Sequence, residues 1–235
     1  MNIRFLGKGS GYYPEYKNTS AFFTIDDKLF LIDCGETVFE KLMEMNFDFG
    51  RYSESTIIIT HFHTDHIGSL GSTLSYMELN GSKVNVVYPN RKIIDLLDMI
   101  GITPDLYTYY SEIPAHLSGL IRAEASKVIH SPVLDCFGYT FFVGDLVFYY
   151  GGDSNAIPDN ILKEFLNGRI DYIFHDTTFE KDVNKWHGSL EYLERVIPAD
   201  LRSRVFCTHL GSAFDIIIKE KGFGIPDTEK PMDLR

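Results

Sequence analysis

Apolar residues recur along the chain in short runs that are bounded by turn residues. Each run is four or five residues long and rich in β-branched and aromatic side chains. Such runs are typical of strands that are buried on at least one face. We therefore predict strands at 3–6, 21–25, 29–32, 56–60, 84–88, 139–143, 146–150, 172–175 and 204–208.

Segments in which apolar residues follow a helical spacing lie between many of these strands. Turn residues at 26–27 and 144–145 instead join neighbouring strands directly, as in antiparallel pairs. A chain that uses both kinds of connection builds mixed sheets rather than purely parallel ones. We predict helices at 37–45, 70–79, 91–100, 157–166 and 190–197.

The length and composition fit a single globular domain. A chain of 235 residues can bury one sizeable core, and 44% hydrophobic with 23% charged residues is ordinary for such proteins. No internal repeat, low-complexity stretch or linker interrupts the pattern. We predict one domain over 1–235, in which 222–235 is a loop or tail because Pro226, Pro231 and several charges break up its pattern.

The net charge restricts the partners. At −11, with a pI near 5.1, the chain has no broad basic face that could hold a long nucleic acid through many phosphate contacts. Divalent cations held by its own ligands would add local positive charge that this count omits. A small anionic substrate therefore fits, and transfer RNA is disfavoured.

The cysteines and the hydropathy indicate the compartment. Cys34, Cys136 and Cys207 are an odd number without C-x-x-C spacing, which favours buried, reduced thiols over disulfides or a thiolate zinc site. No apolar stretch approaches the roughly 20 residues that a membrane span needs. We predict a cytoplasmic protein that does not enter the membrane.

The densest chemical motif follows the β-branched run 56–60. Three of the eight histidines of the chain occur there within six residues, in the sequence His61-Phe62-His63-Thr64-Asp65-His66. Imidazole and carboxylate ligands suit zinc, iron or manganese, and the lack of thiolate argues against a closed structural zinc site. Side chains at alternate positions share one side of an extended chain, and later ones follow after a turn, so two neighbouring metals could be served.

Three further metal-capable side chains each follow an apolar run. They are His130 after 125–129, Asp153 after 148–152 and His209 after 205–208. Taken singly, such residues usually cap or pack. Together with the first motif they predict a metal site built from strand ends.

The order and spacing of these residues resemble the metallo-β-lactamase superfamily over nearly the whole chain. The resemblance implies an αββα sandwich, two mixed sheets flanked by helices, with the site at the sheet edges. It implies two divalent ions, zinc first with manganese or iron as alternatives, and a bridging hydroxide as the nucleophile. One ion would be held by His61, His63 and His130, the other by Asp65, His66 and His209, with Asp153 between them; Asp65 would also orient the water.

Two later segments resemble the ribonuclease Z-like branch of that superfamily. His175-Asp176-Thr177-Thr178 departs from its His-Glu-Ala-Thr, and His187-Gly188-Ser189 departs from its His-Ser-Thr. The resemblance implies that His187 gives a proton to the leaving alkoxide while Asp176 orients the imidazole. The alternatives are a surface histidine that caps the following helix and an aspartate at a turn.

The branch resemblance leaves several reactions open. Only 22 residues separate His130 from Asp153, and the hairpin 137–150 fills most of them, so the arm that grips transfer RNA in ribonuclease Z is missing. We predict a phosphodiesterase acting on a small phosphodiester or nucleotide, cyclic or short. The alternatives are transfer-RNA 3′ processing, hydrolysis of a thioester, lactone or β-lactam, a di-iron oxidoreductase, or a metal-dependent binding protein.

The tyrosines give a weaker indication. Tyr12 and Tyr13, with the tyrosines at 107, 109 and 110, could form an aromatic rim for a base. Packing in the core or in hairpins is expected for most of the 14 tyrosines, so no substrate pocket follows from them. His116 lies outside the metal pattern and is expected on the surface or in packing, and a homodimer is implied by resemblance alone.

Overall fold

A computed structural model of the chain describes residues 1–179 and 185–234. Its strands are β1 (Asn2–Gly7), β2 (Ser20–Ile25), β3 (Lys28–Ile32), β4 (Glu54–Ile58), β5 (Val84–Val87), β6 (Thr108–Tyr110), β7 (Arg122–Lys127), β8 (Phe137–Val143), β9 (Leu146–Tyr150), β10 (Tyr172–Asp176), β11 (Val205–Thr208) and β12 (Met232–Asp233). Its α-helices are α1 (Val38–Glu44), α2 (Thr64–Ile67), α3 (Leu70–Leu79), α4 (Lys92–Met99), α5 (Asp159–Leu166), α6 (Leu190–Val196) and α7 (Asp215–Glu220).

The strands form two mixed sheets. The first has the order β12-β1-β2-β3-β4-β5-β6 and the second the order β11-β10-β9-β8-β7. Antiparallel hairpins build one part of each sheet, and β3 to β6 and β9 to β11 run parallel. The turns at 26–27 and 144–145 join hairpins as predicted, and Asp26 and Gly144 take the left-handed backbone with φ of 52° and 57°.

Three apolar clusters fill the space between the layers of the fold. Aromatic side chains from both sheets, such as Phe23 and Phe148, meet edge to face at 5.9 Å and fill the space between the sheets. Leu42 of α1 and Leu74 of α3 pack with the outer face of the first sheet, and Phe165 of α5 packs with that of the second. The result is the predicted αββα sandwich, whose buried aromatic centre holds the strand ends in fixed positions.

The elements differ from the predictions at several places. The predicted strands and helices are all present with bounds shifted by a few residues. The sequence did not predict the strands β6, β7 and β12 or the helices α2 and α7, because these elements of two to six residues carry too little hydrophobic periodicity. Within the predicted tail 222–235, Met232–Asp233 pairs with β1, and Arg235 lies outside the described residues. None of the helices in the described ranges could span a membrane.

Candidate metal centre

The predicted site residues come from the ends of strands in both sheets. His61 and His63 follow β4, and α2 begins immediately afterwards, which places Asp65 and His66 in its single turn. Asp153 follows β9 and His209 follows β11, two strands on either side of β10 in the second sheet. The carboxyl ends of parallel strands meet at one edge of a sheet, so residues distant in sequence converge there.

Four side chains form the first group. The Nε2 atom of His61 lies 3.0 Å from Nδ1 of His63, and that atom lies 2.9 Å from Nε2 of His130. An Oδ2 atom of Asp153 lies 3.4 Å from His130 Nε2. One ligand atom from each of these four side chains lies within 4.8 Å of the others. Three imidazole nitrogens therefore point at a common position.

A second group shares Asp153 with the first. Its His209 Nε2 atom lies 3.1 Å from Oδ2 of Asp65 and 3.2 Å from Oδ2 of Asp153. His66 Nε2 lies 3.2 Å from the other oxygen of Asp153. The Asp153 carboxylate is buried between the two groups: Oδ2 faces His130 and His209, and Oδ1 faces His66.

Neighbouring groups fix the ring orientations. Asp33, which directly follows β3, accepts from the Thr60 amide and hydroxyl at 2.8 Å each and lies 2.8 Å from His66 Nδ1. His130 Nδ1 lies 3.0 Å from the carbonyl oxygen of Trp186. A ring that is held at Nδ1 presents Nε2 to the centre, which is the usual arrangement around a histidine metal ligand.

Two of these residues adopt an uncommon backbone conformation. Asp33 has a φ of 59° and His209 a φ of 56°, both in the left-handed region that residues with a side chain seldom occupy. The His209 amide donates to the Thr19 hydroxyl at 3.0 Å, which helps to hold that conformation. Left-handed backbone outside glycine concentrates at functional sites, where the surrounding structure enforces it.

The electrostatics of the two groups favour a cation. Burial alone would lower the pKa of His209, but the carboxylates of Asp153 and Asp176 outweigh it and raise that pKa to about 10. Burial lowers the pKa of His61 well below its ordinary value, and His66 adds to this. The cluster thus combines a neutral imidazole at His61 with carboxylates that hold a proton on His209. A divalent ion bound by the same groups can take the place of that proton.

Two buried atoms of the cluster support the same fit. His66 Nε2 and Asp153 Oδ1 are enclosed and have no hydrogen-bond partner within the described residues. Buried polar atoms are normally satisfied, so a pair of unsatisfied ones that converge needs a partner of another kind. The two groups of His and Asp side chains therefore fit a metal site, and together we call them the metal cluster.

The pair predicted from the ribonuclease Z-like segments lies beside this cluster. His187 Nδ1 is 2.6 Å from Oδ2 of Asp176, which is fully buried at the end of β10. The His187 ring stacks on His209 with a centroid distance of 5.0 Å and an angle of 8° between the planes. Burial would lower the pKa of His187, but the hydrogen bond and charge of Asp176 raise it above its ordinary value.

The alternatives for this pair fit the contacts less well. The N-cap of α6 is Ser189, whose hydroxyl oxygen accepts from the Tyr192 amide at 3.1 Å, so His187 does not cap that helix. Asp176 also accepts from the Ser154 amide at 3.2 Å and lies 3.4 Å from His209 Nδ1. Its carboxylate is therefore shared between the pair and the metal cluster.

His175 packs against Gly188, in the segment 185–189 that carries His187. The sequence did not predict a role for His175 at the site. Its ring is fully buried, and neither ring nitrogen has a hydrogen-bond partner in the part of the chain that the structure describes. A Cβ atom on Gly188 would come within 2.7 Å of His175 Nε2 and 2.6 Å of the Asp176 carbonyl oxygen. The loop can lie this close to β10 only because residue 188 is glycine.

The buried His175 should make the fold sensitive to acid. Burial lowers its pKa to about 4, whereas an exposed histidine in the unfolded chain has a pKa of about 6.5. Between about pH 6.5 and pH 4 the unfolded chain binds a proton at this residue and the folded chain does not. Stability is therefore lost as the pH falls through this range. We expect the free energy of unfolding to drop by about 1.5 kcal/mol between pH 6.5 and pH 5 from this residue.

Urea unfolding at both pH values would measure this loss. The His175→Gln variant removes the titrating group and should have a correspondingly smaller pH dependence than the unchanged chain, whatever its stability at pH 7. Equal losses in both proteins would show that His175 does not carry the effect.

The chain matches one family model and several known proteins over most of its length. The family model described as Anti-Pycsar protein Apyc1 matches residues 1–101 and 103–224. The chain belongs to this family. The Anti-Pycsar protein Apyc1 of Bacillus phage BSP38 is 29% identical, and the alignment covers 94% of this chain and 93% of the phage protein.

Two further matches are ribonuclease Z-type proteins. A ribonuclease Z of Streptococcus thermophilus is 23% identical, over 97% of this chain and 79% of that enzyme. The crystal structure of the short form of human tRNase Z matches with a TM-score of 0.73 at 18% identity, covering all of both chains. The metallo-β-lactamase fold expected from the motifs is confirmed, and these matches bear out the expected resemblance to ribonuclease Z-like proteins. The chain is a metal-dependent hydrolase.

Sequence reasoning missed two residues that the structure places next to the site. Asp33 stands at the end of an apolar run, as His130, Asp153 and His209 do, so the same strand-end rule could have identified it. No pattern in the sequence indicated the packing of His175 against Gly188, because that contact depends on two elements meeting in space.

Proposed function

We propose that this chain is a dinuclear-metal phosphodiesterase that hydrolyses a small cyclic nucleotide to the linear monophosphate. The observation that carries the proposal is the His187–Asp176 pair beside the metal cluster, because it adds a proton donor to a hydrolytic site. A phosphodiester needs such a donor, since its leaving alkoxide is strongly basic. Hydrolysis of thioesters and activated lactones depends less on a proton donor.

The proposed ligand sets follow the two groups of side chains. His61, His63 and His130 would hold one ion, and Asp65, His66 and His209 the other, with Asp153 shared. Zinc is the proposed metal because all ligands are nitrogen or oxygen, and manganese or iron are the alternatives. When bound, two divalent ions lower the pKa of water and offset the charge of the phosphoryl group.

Three side chains would supply the proton for the leaving group and orient the attacking water. Asp176 accepts a hydrogen bond from His187 Nδ1 and raises the pKa of the ring, which favours the doubly protonated imidazolium. The second proton of that form is on Nε2, directed away from the carboxylate and available to the leaving oxygen. Asp65 remains ionised: burial would raise its pKa, but the hydrogen bond with His209 and the nearby His66 lower it to about 2. An ionised carboxylate at this position can orient the attacking water.

The size of the substrate is proposed from three observations. The net charge of −11 offers no broad basic surface for a long nucleic acid. The hairpin β8–β9 directly links the His130 and Asp153 regions and leaves no length there for an RNA-gripping arm. The chain also covers 93% of the phage Anti-Pycsar protein but 79% of the ribonuclease Z. A compact nucleotide fits this chain better than transfer RNA.

The compartment and the assembly of the protein are also proposed. We place the protein in the cytoplasm because Cys34, Cys136 and Cys207 are all buried and unpaired. We also propose one domain, and a homodimer as its assembly.

A substrate panel tests the function. Purified protein loaded with zinc or manganese should convert 3′,5′-cyclic nucleotides to linear monophosphates, detected by phosphorus NMR, and a chelator should stop the reaction. Precursor transfer RNA, a thioester and a lactone complete the panel. Faster turnover of any of these three than of every cyclic nucleotide would contradict the proposal.

Gly188 offers a test of the His187 position. Alanine at this site would collide with the Asp176 carbonyl oxygen and the His175 ring, so the backbone must move and carry His187 away from Asp176. We expect Gly188→Ala to lower kcat by about tenfold to a hundredfold, with metal content unchanged.

Gly119→Ala is the matched control, because nothing lies within 4 Å of the added Cβ and its activity should be that of the unchanged protein. Full activity of Gly188→Ala would mean that the loop does not need its present position.

A further inference from the structure

The loop between β1 and β2 brings an exposed tyrosine next to the metal cluster. Its residue Gly11 packs directly on Asp65: an added Cβ would lie 3.0 Å from Cγ and 3.1 Å from Oδ2 of that side chain. Consecutive Cα atoms are about 3.8 Å apart, so the side chain of Tyr12 begins one residue from this contact. Tyr12 is 99% exposed.

The loop is anchored on both sides of Tyr12. The Ser10 amide donates to the Leu210 carbonyl at 3.1 Å, and the Leu210 amide donates to the Lys8 carbonyl at 2.9 Å. Leu210 follows His209, so these bonds tie the loop to the metal cluster. On the other side, the Tyr13 ring packs edge to face on Tyr16 at 4.8 Å.

A cluster of side chains holds the base of the loop. The Lys8 ammonium pairs with the Asp215 carboxylate and lies 4.2 Å above the centre of the Tyr16 ring. The Tyr16 hydroxyl donates to Asp215 Oδ1 at 2.9 Å. A loop fixed in this way presents Tyr12 at little further cost in conformational entropy.

The other tyrosines considered for an aromatic rim have roles in packing. Tyr107 is buried, and the Tyr109 hydroxyl donates to the Tyr88 carbonyl at 3.1 Å. Tyr13 packs on Tyr16. The Tyr12 ring, in contrast, is 99% exposed and adds nothing to the core. An exposed aromatic ring on a loop that contacts the metal cluster suits contact with a flat apolar ligand.

We infer that Tyr12 is a substrate-binding residue that stacks on the nucleobase while the phosphodiester lies at the metal cluster. The inference rests on the proposed function. Stacking on an aromatic ring tolerates every base, because each base has a flat face, and removing such a ring weakens binding of nucleotides measurably. Tyr12 therefore contributes affinity for nucleotides as a class, with stronger contact to the larger purines.

The Tyr12→Ala variant tests this role. Its KM for 3′,5′-cyclic nucleotides should rise about tenfold, more for purines than for pyrimidines, with kcat changed less than twofold. Tyr12→Phe retains the ring and should restore the KM. A slowly hydrolysed cyclic phosphorothioate nucleotide gives a second readout: calorimetry should show its Kd raised about tenfold in Tyr12→Ala.

Two controls isolate the base. On a cyclic ribose 3′,5′-phosphate that lacks a base, the effect of Tyr12→Ala should be at least fivefold smaller. Met99→Ala removes another highly exposed apolar side chain, on the helix α4, and should leave every parameter unchanged.

The outcomes separate this inference from the proposed function. If the unchanged protein hydrolyses no cyclic nucleotide, the proposed function fails and the role of Tyr12 falls with it. If it does hydrolyse them and Tyr12→Ala has the same KM and Kd, or loses equally on the base-free substrate, the role of Tyr12 alone is overturned.

Discussion

Replacing Asp153 by asparagine is expected to lower kcat/KM by at least roughly a hundredfold and to reduce the metal bound per chain. Asp153 is the residue common to both groups of side chains, and its two oxygens face His130 and His66 at 3.4 and 3.2 Å. An amide has the same shape but carries no charge, and its nitrogen cannot bind a cation. Elemental analysis and kinetics on the same samples measure both losses.

The control for this variant is Asp145→Asn, at the exposed turn between β8 and β9. It changes the net charge by the same amount and should keep full metal content and activity. Circular dichroism establishes that both variants are folded. If Asp153→Asn retained two ions per chain and normal turnover, Asp153 would not be a ligand of either metal.

Replacing His187 by alanine is expected to lower kcat for a cyclic nucleotide by ~10²–10⁴-fold, because the leaving alkoxide then departs without a proton donor. The loss should be much smaller for bis-p-nitrophenyl phosphate, whose leaving phenolate needs no proton. Metal content should not change. The comparison of the two substrates in one variant measures the role of the proton.

The metal content of His187→Ala decides between two roles. His187 also belongs to a third group of potential ligand atoms, with His130, Asp153 and Asp176, which lie within 4.8 Å of one another. Loss of metal with equal kinetic losses on both substrates would make His187 a ligand rather than a donor. His116→Ala is the control, since that ring bonds Glu54 at 2.8 Å, outside the metal cluster, and its removal should leave kinetics and metal content unchanged.

The hydrophobic pattern predicted the fold well because the core of a sandwich repeats the same local rule many times. Strands such as β3 and β9 are nearly continuous apolar runs, and helices such as α5 place Ile161 and Phe165 on one buried side. Short elements failed this rule. The helix α2, four residues long, is held by its position between β4 and α3 rather than by periodicity.

The site was only partly readable from the sequence. The side chains at the strand ends could be selected because metal-capable residues in such positions are rare, and the structure brings the seven proposed ligands into two groups. Their assignment as ligands stays a prediction. The contacts of His66 with Asp33 and of His130 with the Trp186 carbonyl join positions 33 and 56 residues apart. Pairings of that kind depend on the sheet order, which a single sequence does not contain.

Activity against the number of metal ions bound per chain tests the central claim most directly. Metal-free protein is titrated with zinc or manganese, and bound metal and cyclic-nucleotide hydrolysis are measured on each sample. A two-metal phosphodiesterase predicts that activity rises to a plateau at two ions per chain. A plateau at one ion, or no hydrolysis with two ions bound, would contradict the account.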